Sequence, residues 1–155
     1  MEVKVRGIFI KSNTPSSKNS KQIVLHKIKG SDKMKRLIIH SKPTLKYKKQ
    51  TKLEWLEQKR VFLNLTKDES LPLVVGFHLV RKSRHQFDFI NILQIVQDLM
   101  VEYGWIKDDN MDSLIPIPFK MNGKYYTYNK ENPGVYIVPI TKELLKNVDN
   151  QLNND

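Results

Sequence analysis

The stretch Asp88-Phe89-Ile90-Asn91-Ile92-Leu93-Gln94-Ile95-Val96-Gln97-Asp98-Leu99-Met100-Val101-Glu102-Tyr103-Gly104 decides how the chain folds. Ile92, Ile95, Val96, Leu99, Met100 and Tyr103 recur at offsets of three and four, which gathers them on one side of a helix. Asn91, Gln94 and Asp98 fall on the opposite side. Asp88 is a residue type that caps helix starts, and Gly104 one that ends helices. The pattern predicts a helix buried by its apolar face, with a polar stripe left facing outward.

Working outward, residues 71–80 are apolar and rich in β-formers, which predicts a core strand leaving through Arg81-Lys82-Ser83-Arg84-His85. Nearer the N-terminus, residues 3–10 read as a first strand and residues 12–20 as a loop rich in Ser, Asn and Pro. Residues 22–28 and 36–40 then read as two short strands around Lys29-Gly30-Ser31-Asp32. Leu45, Leu53, Leu56 and Leu63 recur at near-helical spacing, with Lys46, Lys48, Lys49, Lys52 and Lys59 largely elsewhere on the cylinder. That predicts a basic amphipathic helix, capped by Ser41 or Thr44, while Trp55, Phe62, Phe77, Trp105 and Phe119 lie on apolar faces and read as core rather than as base-stacking platforms. Past Gly104 come Trp105-Ile106, the acidic turn Lys107-Asp108-Asp109-Asn110, an apolar run over residues 115–119, turns at Asn122-Gly123 and Asn132-Pro133-Gly134, and a last strand over residues 135–140. The whole predicts an α+β fold, a small mixed sheet with two main helices on one face. Residues 1–140 form one domain in this reading, and residues 141–155 a polar tail with a short helix.

Composition narrows the chemistry. The 155 residues carry no cysteine, which removes disulfides, thiolate metal sites and cysteine nucleophiles and leaves carboxylates, histidines and hydroxyls. No run approaches the roughly 18 apolar residues of a membrane span, and the first residues do not resemble a signal peptide, so the expectation is a soluble, cytoplasmic protein. The net charge of +11 is uneven: residues 1–60 carry 17 basic and 4 acidic side chains, and the remainder is slightly acidic. A basic half favours a polyanion such as nucleic acid, because Lys and Arg contacts to phosphate release counterions; a lysine-rich solvated surface is the other reading. Walker loops, dinucleotide glycine fingerprints, nucleophile elbows and His-Glu-x-x-His pairs are all absent, which removes NTPase, dinucleotide-dependent, serine-hydrolase and zincin readings.

Two acidic points frame the central helix, Asp88 at its start and Asp108-Asp109 in the turn beyond its end. An antiparallel return after the helix would bring them to one sheet edge. Clustered carboxylates repel unless a cation neutralises them, and hard oxygen donors suit Mg²⁺ or Mn²⁺. Taken alone, Asp88 reads equally as a helix cap, and Asp108-Asp109 as a solvated turn.

The block from His85-Gln86-Phe87-Asp88-Phe89-Ile90-Asn91 through Asp98-Leu99 to Tyr103-Gly104-Trp105-Ile106-Lys107-Asp108-Asp109 resembles the central block of the RusA family of Holliday junction resolvases. That family carries an Asp-x-Asp-Asn motif, a helix with Asp-x-Leu, a glycine followed by an aromatic, and an Asp-Asp pair. Pro15-Ser16-Ser17-Lys18-Asn19 is similar to its N-terminal loop. The order of elements follows the family over most of the chain, while the specific motifs occupy about 25 residues. The resemblance implies a homodimeric, Mg²⁺-dependent (or Mn²⁺-dependent) endonuclease that cuts branched DNA. It makes Asp88, Asp108 and Asp109 metal-binding carboxylates and Asn91 a residue that orients a ligand. It also places Lys18, Asn19, Lys21, Arg81, Lys82 and Arg84 near the DNA. Two positions depart from the pattern: Ile90 stands where the second motif acid is usual, and Gln94 where a lysine is usual. Both departures weaken cation binding and phosphate neutralisation, so a non-catalytic DNA-binding protein on the same scaffold is the alternative. Asp112 reads either as a substitute charge or as a surface acid. Tyr125, Tyr126 and Tyr128 read either as base-stacking platforms or as hairpin packing.

Overall fold

The computed structural model describes residues 5–152; the side chains of residue 19 and residues 148–152 lie outside that description, as do residues 3 and 4 of the expected first strand. In chain order the elements are β1 (Ile8–Lys11), a 3₁₀ turn (Ser17–Asn19), β2 (Lys21–Lys27), β3 (Met34–His40), α1 (Lys42–Thr66), β4 (Leu73–Arg81), α2 (Phe89–Glu102), β5 (Leu114–Pro118), β6 (Tyr126–Tyr128), β7 (Gly134–Pro139) and α3 (Lys142–Leu152). The fold is α+β, a mixed sheet with three helices.

β4 is the spine of the sheet because its sequence, Leu-Val-Val-Gly-Phe-His-Leu-Val, is apolar on both faces, the pattern of a strand covered on both sides. It pairs antiparallel with β7, Phe77 opposite Ile137, and β7 pairs in turn with β1. On its other side β4 pairs in parallel first with β5, Leu73 opposite Leu114, and then with β6, Leu79 opposite Tyr126. Pro116 and Pro118 are tolerable in β5 because it is an edge strand. Gly76 in β4 admits the Phe119 ring, which would lie 2.6 Å from any added Cβ. His78 is buried with both ring nitrogens engaged, Nδ1 with the Phe119 carbonyl and Nε2 with Thr127, so it ties the β5–β6 connection to the spine.

The central helix forms as its periodicity predicts. Ile92, Leu93, Ile95, Val96, Leu99 and Met100 are buried, Asp88 caps the start by accepting from the Ile90 amide, and Gly104 at φ +71° follows the end. The first helix buries Trp55 and Phe62 as expected, but not the leucines that recur at near-helical spacing. Tyr47, Thr51, Trp55, Phe62 and Thr66 face the core, whereas Leu45, Leu53, Leu56 and Leu63 are exposed. The aromatic stripe wins because each ring buries more apolar area than a leucine, and the threonines between the rings satisfy their own hydroxyls. Thr51 donates to the Tyr47 carbonyl and Thr66 to the Phe62 carbonyl. Ser41 stands at the cap position but makes no cap bond to the backbone; its hydroxyl pairs with that of Thr44.

The return after α2 also departs from the antiparallel path. β5 runs parallel to β4, so α2 is a crossover that carries the chain from the end of one strand to the start of its neighbour. Asp88 therefore follows the C-terminal end of β4, while Asp108 and Asp109 precede the N-terminal end of β5. Separately from this sheet, β2 and β3 pair only with each other, over seven residue pairs from Lys21–His40 to Lys27–Met34.

Truncating the aromatic stripe should cost far more than truncating the leucine stripe. Trp55→Ala is expected to lower unfolding free energy by about 3–5 kcal/mol, and Leu53→Ser or Leu56→Ser by no more than about 0.5 kcal/mol. Urea unfolding of the three variants checks the assignment of the buried face.

Candidate nucleic-acid interface and carboxylate site

The loop over residues 12–20 is pinned by buried polar contacts. The Thr14 hydroxyl donates to the Tyr47 phenolic oxygen at 3.0 Å, and Arg81 Nη1 donates to the Thr14 carbonyl at 2.8 Å. Burial pushes the Tyr47 phenol well above its ordinary pKa and draws the half-buried Arg81 guanidinium down, its nearness to Tyr47 notwithstanding. Arg81 also lies over the Phe87 ring, 5.2 Å from its centroid. Of the cations expected at DNA, Arg81 is thus a positioning residue that holds the loop, rather than a free one. The Lys82 amide donates to Asn13 and holds the same loop from the next residue, leaving its side chain exposed.

Pinned in this way, the loop lays its 3₁₀ turn on α2. Ser17 reaches Asn91 at 3.5 Å, and Asn91 Nδ2 donates to Asp88 Oδ2 at 2.9 Å. Asn91 therefore joins the loop to the first of the expected carboxylates. Seven residues further, two helical turns along the same stripe, stands Asp98. Its side chain keeps solvent contact, yet the surrounding protein removes enough water to raise its pKa, and the nearby Asp109 carboxylate raises it further against the opposing pull of Lys21, His40 and Lys48. Lys48 pairs with Glu102 at 2.6 Å, closing the end of the seam between α1 and α2. His40 Nδ1 is shielded and without a hydrogen-bond partner among the described residues.

Asn91 thus bonds Asp88, and Asp109 lies within electrostatic reach of Asp98. Ten residues of helix separate Asp88 from Asp98, about 15 Å of axis. Among the described residues no three His, Asp or Glu side chains form a group that could hold a metal ion. Asp108 turns both oxygens to its own turn, accepting from the Asp109 amide and from Asn110 Nδ2, each at 2.8 Å. Asp112 stays exposed in that turn, its amide bonded to Asn110. Ile90 is 73% exposed, so nothing apolar requires it where the motif acid is usual. Gln94 is exposed on the same stripe.

Asp98 is the residue that sequence reasoning left out of the site. Its signal was available, since it shares the polar stripe with Asn91, but only the folded turn brings Asp109 within electrostatic reach of it. Around this seam lie exposed Lys18 and Lys21, and beyond Asp88 a cation–aromatic surface: Arg84 over Tyr128 at 4.6 Å, Lys120 over Tyr125 at 5.4 Å, and Tyr126 edge-on to Phe87. The Asn19 side chain lies outside the described residues. No helix among the described residues is long and apolar enough to cross a membrane. The chain matches no family model and no curated protein.

The raised carboxyl of Asp98 has a signed consequence. Its ionised form is less favourable in the folded than in the unfolded chain, a penalty present at neutral pH that is relieved as pH falls through the raised folded pKa. It is gone below the ordinary aspartate range, about pH 3. Asp98→Asn should therefore raise the melting temperature at neutral pH and leave it unchanged near that acidic limit, as measured by thermal unfolding at both.

Proposed function

We propose that the chain is a RusA-like endonuclease that acts on branched DNA with a divalent cation, working as a two-fold pair that makes opposed cuts. The observation that carries this reading is the polar stripe of α2, where Asn91 bonds Asp88 and Asp98 stands two turns further on within electrostatic reach of Asp109 and Lys21. Neighbouring carboxylates repel, and Mg²⁺ suits an open site of this kind because it commonly takes one or two carboxylates and completes its shell with water and substrate phosphate. Asp109 would hold the cation with Asp98, and Asp108 supports Asp109 by accepting from its amide. When bound, the cation supplies neutralisation of charge on the scissile phosphate. The protein's own contribution is positioning: Arg81 and Tyr47 fix the loop, Ser17 and Asn91 orient Asp88, and Lys18, Lys21, Lys82 and Arg84 attract the phosphate backbone.

A second reading is favoured by exposed Ile90 and Gln94 and by the separation of Asp88 from Asp98. In it the chain binds branched DNA without cutting it. A synthetic four-way junction incubated with Mg²⁺ or Mn²⁺ decides between the two. The endonuclease predicts cation-dependent nicking that Asp109→Asn lowers by about a hundredfold or more, while junction binding survives. The binding protein predicts retained affinity, steeply salt-dependent, with no nicking by the wild type under either cation.

A further inference from the structure

The β2–β3 hairpin is a separate two-stranded sheet rooted beside the carboxylate pair. Its strands alternate, and one face carries Ile23 and Leu25 from β2 together with Met34 and Ile38 from β3. Ile23 and Ile38 stand directly opposite one another, 68% and 71% exposed, and Leu25 is 64% exposed. A hairpin of this kind is marginal in water without a hydrophobic face covered by something, and a patch of large aliphatic side chains on a protruding ribbon marks a contact surface. Between residues 21 and 40 there are six Lys or Arg side chains and one acid, Asp32, which Lys27 already pairs at 3.1 Å.

That charge chooses the occupant. Two copies of this face laid together would oppose Lys21, Lys27 and Arg36 with their own equivalents, whereas a polyanion is attracted by all of them. An apolar ridge flanked by cations on a two-stranded ribbon matches the way β-ribbons enter nucleic-acid grooves and the way aliphatic wedges slip between base steps. We infer that the β2–β3 hairpin is a DNA-engaging arm, with Ile23, Leu25 and Ile38 packing against bases unstacked at a branch point and Lys27 and Arg36 holding the adjacent phosphates. This rests on the reading of branched DNA as substrate, and it adds a wedge to it. Because Lys21 opens β2 and His40 closes β3, both beside Asp98, a branch held by the arm is delivered to the carboxylate pair.

The test uses four-way junctions with 2-aminopurine next to the branch point. Wild-type protein should raise the fluorescence on binding, and Ile23→Ser/Ile38→Ser should lose most of that rise while binding linear duplex within about twofold of wild type. Lys27→Gln/Arg36→Gln should weaken both complexes and flatten their salt dependence. So that misfolding of the serine variant cannot decide the matter, wild-type protein is also photocrosslinked to a junction carrying 5-bromodeoxyuridine at the branch. Crosslinks within residues 21–40 support the arm, and crosslinks confined to other segments overturn it. A dimer that becomes monomeric in Ile23→Ser/Ile38→Ser, by sedimentation velocity, also overturns it in favour of a second copy. Nicking with no wild-type fluorescence rise sinks the arm alone; a fluorescence rise without nicking sinks the endonuclease and leaves the arm standing.

Discussion

The placement of the turn that carries Asp108 and Asp109 depends on an indole clasp. Trp55 of α1 is wholly buried and packs 4.9 Å, centroid to centroid, from Trp105, which follows α2 and donates its indole N–H to the Trp55 carbonyl at 2.8 Å. Phe62 packs on the far side of Trp105 and Tyr103 stacks on Trp55. The hydrogen bond matters as much as the area. A buried indole N–H without a partner is costly, so this bond favours the arrangement that places the turn after α2 against the middle of α1. Four residues later in that turn comes Asp109, and the clasp is what holds it near Asp98.

A second anchor works at the other end of α1. Tyr47, Thr14 and Arg81 link the first helix, the N-terminal loop and the exit of β4 through buried hydrogen bonds. These are groups whose desolvation is worthwhile only when all three elements are in place, and so they set the loop on α2 rather than merely tether it. Together the two anchors set Ser17 against Asn91 and bring Asp109, Lys21, His40 and Lys48 within electrostatic reach of Asp98. The negative groups there are few and local, while the positive excess of residues 1–60 is carried by the loop, the hairpin and α1, all adjacent to them.

Much of this was legible beforehand because it is local. The strands at β4 and β7, the helix α2 with its cap and terminating glycine, and the hairpin of β2 and β3 each follow from periodicity and turn chemistry within a few residues. The buried face of α1 was legible only in part, through Trp55 and Phe62. Both the leucine and the aromatic stripes have helical spacing, and which turns inward depends on what the neighbouring elements offer, here Trp105 and Tyr103 from across the molecule. The direction of β5 is likewise invisible to a local pattern, since parallel and antiparallel returns can follow the same apolar run.

By itself, the sequence determined the α+β class, the polar stripe of α2, the basic N-terminal half and the acidic points at either end of the helix, because each is set by neighbours in the chain or by simple charge. Only the tertiary structure decided that Asp109 comes within electrostatic reach of Asp98, that Arg81 holds the loop, and that the hairpin leaves its aliphatic face bare. Those outcomes turn on contacts between residues from eleven to 67 positions apart, where packing area and the satisfaction of buried polar groups choose among arrangements that local preference leaves equal.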